Sequence, residues 1–242
     1  GDTTDDLIEK AKEINPNASK REMDMLLSTG EQISISLLAM AIEKIGCPVI
    51  SLTGWQAGVK TDAKYGAARI STIDTERLQA ELDKKNIVIV AGFQGITEYG
   101  DMVTLGRGGS DTTAVALAGA MKADVCEIFT DVDGVYSTDP RVAKEAFKLE
   151  EVTYGEMLEM ARLGAGVMQP RAVEMGFRYG VPIHVRSTFS DKTGTIIRED
   201  YTVEANKHVI TGVADDTNTA KVALVGVENK PGVAATVFKA LA

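Results

Sequence analysis

The sequence predicts an α/β fold, a mostly parallel sheet with helices on both faces, followed by the start of a second, smaller unit. Three observations carry this. The short apolar runs 48–53, 87–91 and 125–130 read as strands covered on both faces, because a buried strand needs no polar alternation. Helical stretches separate them, and strand–helix–strand alternation is the pattern of right-handed parallel crossovers. Near residue 200 the composition turns polar, and a new strand and turn pattern begins beyond it.

In chain order, Gly1-Asp2-Thr3-Thr4-Asp5-Asp6 reads as an N-cap cluster ahead of a helical pattern from Leu7. No Met and no strand precede it, so the natural N-terminus is expected upstream. Met23 to Ile45 is the longest helical stretch, and Ser28-Thr29-Gly30-Glu31-Gln32 marks a break or second start within it. Glu31 there is either an acid meeting a helix dipole or a ligand contact. Gly46 closes the helix before the strand 48–53. Gly54 to Val59 is a loop whose Trp55 is expected to plug an apolar gap. Thr75 to Lys85 is an amphipathic helix ahead of strand 87–91, and 96–104 forms a small hairpin.

Next comes Leu105-Gly106-Arg107-Gly108-Gly109-Ser110-Asp111, and then a helix of small apolar residues to Met121. Glycines permit positive φ and close approach of backbone to a ligand. A helix start offers unpaired N–H groups and a positive dipole end, which favour an anion. Arg107 adds a planar fork for a carboxylate or phosphate. Ser110 can cap the helix or donate to a ligand, and Asp111 adds a carboxylate. No Gly-Lys-Ser/Thr closes the loop, so it is not a P-loop, and Asp111 replaces the third glycine of the dinucleotide fingerprint. A Gly-rich turn can also be only a turn.

Strand 125–130 leads into Thr130-Asp131-Val132-Asp133-Gly134-Val135-Tyr136 and then Ser137 to Arg141. This is turn chemistry, yet it delivers polar side chains to the carboxyl end of a parallel strand, where ligands collect. Helices 153–162 and 170–179 follow, separated by a Gly-rich stretch that includes Gly166. His184, in the strand 182–186, reads as a satisfied strand residue. A short strand covers 194–197. Asp200 to Lys207 reads as a linker, 208–213 and 221–227 as strands, and 233–242 as a helix after the Pro231-Gly232 turn.

Composition narrows the function. The 242 residues carry a net charge of −9, which disfavours nucleic acid and anionic membranes as partners. Cys47 and Cys126 sit in apolar surroundings and are expected to be buried thiols in a reducing, cytoplasmic setting. His184 and His208 have no ligand spacing with them, so no protein metal site is expected. No unbroken apolar run approaches the ~18 residues of a membrane span.

Taken together, Leu105–Asp111, Thr130–Arg141, Gly1–Asp5, Gly30-Glu31, Thr53–Gly58, Val90–Gly95, Val185–Ser187 and Asn229–Gly232 resemble bacterial aspartate kinases of the amino-acid kinase superfamily. The resemblance covers essentially the whole chain. It implies a three-layer α/β/α sandwich over residues 1–199. Residues 200–242 would be a linker and the beginning of an α+β, ferredoxin-like ACT regulatory domain. It implies ATP-dependent phosphorylation of the side-chain carboxylate of L-aspartate, with Mg²⁺ carried mainly by the ATP phosphates. A homo-oligomer joined through ACT domains, with or without a regulatory subunit, is implied as well.

By the same resemblance, Arg107 would clamp a carboxylate of aspartate, Ser110 and Thr4 would hydrogen-bond it, and Glu31 would take its ammonium. Thr130 and Asp131 would contact the nucleotide, Tyr136 the adenine region and Arg141 the phosphates. Asp111 would organise cationic groups or Mg²⁺ around the transferring phosphoryl group. The family's opening strand with its Lys-Phe/Tyr-Gly-Gly motif is absent from this sequence, so these residues alone are expected to have little kinase activity. Many members carry a lysine where this chain has Gly166, leaving only backbone for nucleotide contact there. Acetylglutamate or glutamate kinase, and a non-catalytic amino-acid sensor, are the competing readings.

Overall fold

The computed structural model describes residues 2–199, 210–214 and 230–241. The first half holds α1 (Asp2–Ile14), α2 (Lys20–Lys44), β1 (Val49–Leu52), β2 (Val59–Thr61), β3 (Ile70–Ile73), α3 (Glu76–Asp83) and β4 (Ile87–Val90). Then come β5 (Gln94–Ile96), β6 (Met102–Thr104), α4 (Gly109–Ala120), β7 (Cys126–Thr130), β8 (Glu151–Thr153) and α5 (Tyr154–Arg162). The remainder is α6 (Pro170–Tyr179), β9 (Ile183–Ser187), β10 (Thr195–Arg198) and α7 (Val233–Leu241).

The runs that read as buried strands form the parallel pairs. β1 runs beside β4, with Val49 opposite Ile87 and Leu52 opposite Val90. β7 runs beside β9, with Cys126 opposite Ile183 and Thr130 opposite Ser187. A sheet of order β7-β9-β10-β8 adds one antiparallel pair, β9 with β10, and one parallel pair, β10 with β8. A smaller sheet of order β3-β2-β5-β6 is antiparallel except for β2 with β5. The architecture is therefore the expected α/β class, with antiparallel pairs added by strands too short to show a period.

α4 holds the parts together. From Ala114 to Ala120 its residues are apolar and buried or half-buried, as suits a helix packed on more than one side. Val115 faces the core of β7, β9, β10, α5 and α6, while Ala116 faces that of β2, β3 and β6. Gly119 lies so close to the Tyr179 ring that an added methyl would fall 2.4 Å from it, which lets α6 pack tightly against α4. The N-terminus of this fixed helix carries the Gly-rich loop.

Several expectations are corrected. The cluster Asp2–Asp6 lies inside α1 rather than ahead of it. α2 is continuous from its N-cap Ser19 through 28–32. Gly30 is not a break: the helix runs through it, and a methyl there would meet Thr3 and Leu7 of α1 at 3.4 and 3.9 Å, ordinary contact distances. Trp55 is 57% exposed and plugs nothing, because Ala57 takes the buried position in its turn. Cys126 is buried as expected, but Cys47 is only half-buried. Burial, followed by the negative charge of Asp111, pushes the Cys126 thiol up to about 11. α2 is long and apolar enough to cross a membrane by length and composition. In this fold one face of it packs against β1 and β6, Gln94 donates from Nε2 to the Ser28 carbonyl at 3.0 Å, and Ile33, Leu37, Leu38 and Met40 are exposed.

The linker 200–207 and the strand 221–227 lie outside the described residues, as do 208 and 209. Residues 210–213, expected as strand, are irregular. They are fastened to the first unit, with Val213 N–H donating to Ser137 O at 2.7 Å and Thr211 Oγ1 donating to Glu156 Oε1 at 2.6 Å.

Candidate active site

A cleft of about 720 Å³ opens between α1, α2, the turn 64–67 and the Gly-rich loop. It gathers Thr4, Glu31, Arg107 and Ser110, which are far apart in sequence. Each is placed by an identifiable local cause. Thr4 sits on the first turn of α1, and the Thr3–Gly30 contact holds that turn beside Glu31. Lys20, Asp24, Leu27 and Glu31 recur at near-helical spacing and form one cleft-facing stripe of α2.

The loop that carries Arg107 and Ser110 has little freedom. Leu105 N–H donates to Phe93 O at 2.8 Å, and Arg171 Nη1 donates to Leu105 O at 3.0 Å. Gly106 has φ +76 and Gly108 φ +70. An added Cβ would stand 3.0 Å from Gly66 O at Gly106, and 1.8 Å from Gln169 Cγ at Gly108. Gly108→Ala is therefore expected to destabilise the fold by more than the ~1–2 kcal/mol of a left-handed residue alone. Thermal unfolding should show a Tm lowered by several degrees, at about 2–4 °C per kcal/mol. An unchanged Tm would contradict the packing.

The electrostatics of the cleft are unbalanced in a useful way. The Arg107 guanidinium makes no ion pair or hydrogen bond among the described residues, and the residue is exposed. Glu31 Oε2 is buried and receives no hydrogen bond. Burial raises the Glu31 pKa above the ordinary carboxylate value. α4 has no side-chain cap, Gly109 N–H donates to Gly106 O at 3.0 Å, and the helix start at Gly108 to Ser110 lines the cleft with its positive dipole end. A ligand carrying a carboxylate and an ammonium would satisfy both orphaned groups.

The cleft also contains residues that the sequence did not single out. Lys20 and Lys64 add cations, Phe93 and Tyr65 add rings, and Asp24 and Thr104 add a buried polar pair. Phe93 has φ +67, held by donation of its N–H to Thr113 Oγ1 at 3.1 Å. Lys20 and Asp24 share the helical spacing of Glu31, and Phe93 lies in the Val90–Gly95 stretch, but neither feature says that they face one cleft. Only the fold brings them to one wall.

The other expected site residues do not line this cleft. Asp111 is half-buried, and burial raises its pKa. Thr130 and Asp131 stand at the carboxyl end of β7, with Thr130 Oγ1 donating to Asp131 Oδ1 at 3.1 Å. Tyr136 donates to Asp133 at 2.9 Å, and Lys192 pairs with the same carboxylate at 2.7 Å. That hydrogen bond from Lys192 holds the Asp133 pKa below the ordinary value. Arg141 is exposed on a turn and forks onto Asp139. Gly166 has open space where a side chain would stand. His184 is a satisfied strand residue, bonded to the Thr193 carbonyl and facing Glu127 at 3.5 Å.

An aspartokinase of Geobacillus stearothermophilus is 54% identical over all 242 residues, which make up 59% of that protein. The crystal structure of aspartate kinase from Synechocystis matches with a TM-score of 0.72 and 48% identity, covering 84% of this chain and 33% of that one. Escherichia coli aspartokinase III, solved in complex with aspartate and ADP, matches with a TM-score of 0.72 and 30% identity over 82% of this chain and 45% of its own. The chain thus spans well under two thirds of the length of these relatives. The model of the amino acid kinase family matches residues 1–187, more than half of the sequence, and the chain belongs to that family.

Proposed function

We propose that this chain is the catalytic part of an aspartate kinase, which transfers the γ-phosphoryl group of ATP to the side-chain carboxylate of L-aspartate. The product is 4-phospho-L-aspartate, the first intermediate towards lysine, threonine and methionine. The observation that supports this most directly is the pairing, in one cleft, of the free Arg107 guanidinium with the buried, unpartnered Glu31 oxygen. The relatives at about half identity are named aspartokinase, and one solved neighbour holds aspartate and ADP.

In the reaction a side-chain carboxylate oxygen forms a bond to the γ-phosphorus, and the bond from that phosphorus to the β-γ bridging oxygen breaks, releasing ADP. The nucleophile is already ionised at neutral pH, so the chemistry requires no general base. What it requires is positioning and stabilisation of negative charge. Arg107 holds one carboxylate, Glu31 receives the ammonium, and Thr4 and Ser110 hydrogen-bond the same substrate. The dipole end of α4 supports the developing charge. Thr130, Asp131 and Tyr136, at the carboxyl edge of β7, are assigned to ATP, with Mg²⁺ entering on its phosphates and Arg141 swinging to them from Asp139. Asp111 is assigned to organising the cationic groups around the transferring phosphoryl.

Residues 1–199 would form the kinase domain, and 200–242 the linker and first part of an ACT domain. The helix α7 after the Pro231-Gly232 turn supports the latter. Assembly into homo-oligomers through ACT domains, alone or with a regulatory subunit, belongs to the same reading.

Calorimetric titration of the intact enzyme containing this chain tests the assignment. L-aspartate should bind saturably and at least about tenfold more tightly than L-glutamate, the usual penalty for one misplaced methylene. N-acetyl-L-glutamate, which has no ammonium for Glu31, should not bind. Preference for the acetylated ligand would sink the reading.

A further inference from the structure

We propose that Asp24 is a positioning residue of the amino-acid site, holding the turn 64–67 and the Gly-rich loop in one arrangement. The inference rests on the reading of the cleft as the L-aspartate site. Asp24 is 1% exposed. Its Oδ2 accepts the Gly66 N–H at 2.8 Å and its Oδ1 accepts the Thr104 hydroxyl at 2.6 Å. It forms no ion pair among the described residues. A buried carboxylate satisfied only by neutral donors is a costly way to fill space. What it does provide is a fixed junction of three elements: α2, the turn, and the end of β6.

That junction lies directly behind Arg107. Thr104 is the last residue of β6, two positions before Gly106. The Gly66 carbonyl stands 3.0 Å from where a Gly106 side chain would begin, so the turn and the loop touch backbone to backbone. A second tie runs outside the first. Tyr65 donates to Asp101 Oδ2 at 2.9 Å, and Arg21 Nη2 donates to Asp101 Oδ1 at 3.0 Å. The turn is thereby fastened at consecutive residues, with Lys64 beside them facing the cleft. If Asp24 releases Gly66 and Thr104, Arg107 loses its backing while the edge of β7 assigned to ATP is untouched. The cost should therefore fall on one substrate.

The test is steady-state kinetics of Asp24→Ala, Asp24→Asn and Thr104→Val in the intact enzyme, with thermal unfolding of each. Asp24→Ala should raise the KM for L-aspartate about tenfold or more, with the KM for ATP changed less than about twofold, as expected for two lost hydrogen bonds acting on one site. Asp24→Asn should recover most of that loss, because its oxygen accepts from Gly66 and its amide donates to the rotatable Thr104 hydroxyl. If Asp24→Ala does not fold, Thr104→Val carries the test and must raise the aspartate KM alone. An unchanged aspartate KM in the folded variants overturns the inference, and so does an equal rise in both KM values. Wild-type enzyme that fails to use L-aspartate overturns the underlying reading instead.

Discussion

Arg107→Ala is expected to weaken L-aspartate binding by on the order of 10²-fold or more. The figure follows from two charge-assisted hydrogen bonds at ~1.5–3 kcal/mol each, less the weak compensation water offers at an exposed position. The fold should be unaffected, because the free guanidinium supports no other group among the described residues. Arg107→Lys should recover only part of the affinity, since an ammonium supplies the charge but not the planar fork. Calorimetry with L-aspartate, beside unfolding curves for the three proteins, checks both statements. Equal affinity in wild type and Arg107→Ala would remove Arg107 from the site. A large loss of stability would make it a structural residue.

Glu31→Gln is expected to cut aspartate affinity by about 10–10²-fold, the worth of one buried charged contact, while leaving the empty protein as stable or more so. The sign follows from the raised pKa, caused first by burial and opposed by a backbone hydrogen bond. A carboxyl whose folded pKa lies above its unfolded value costs stability when ionised. That cost is absent below the unfolded pKa, grows as pH rises towards the folded pKa, and is complete above it. Glutamine removes it. Binding runs the other way, because the ammonium of the substrate needs the ionised form. Wild-type affinity for L-aspartate should fall as pH drops through the raised Glu31 pKa, and Glu31→Gln should lack that limb. A variant with the same pH profile as wild type would assign the ammonium to another acid.

The main candidates were legible because their chemistry is local. Arg107 and Ser110 sit in a loop whose glycines and helix start are contiguous in sequence, and the anion-binding character of a helix N-terminus needs no tertiary partner. Thr130 and Asp131 follow a run read as a buried strand. β7 is a strand, but it alternates buried Cys126 and Ile128 with exposed Glu127 and Phe129, and their place at its carboxyl end follows from chain direction alone. Trp55 misled because solvent exposure within a tight turn is decided by which neighbour turns inward, and here that is Ala57. Gly30 misled because a glycine in a helix pattern lowers helix propensity without forbidding the helix, and here α2 runs straight through it.

By itself, the sequence determined the α/β class, the order of the helices and parallel strands, the Gly-rich loop at a helix start and the resemblance to aspartate kinases. Those properties depend on short-range periodicity, turn chemistry and contiguous motifs. The tertiary structure alone decided that α2 runs unbroken beneath the cleft, that Glu31 keeps an unpartnered buried oxygen, and that Asp24 joins Gly66 to Thr104. It also brought Lys20 and Lys64 to the same wall as Arg107. Burial and hydrogen-bond partnership across 42 and 80 residues of chain leave no periodic trace. They arise from how faces pack, and packing is settled only when the whole core closes.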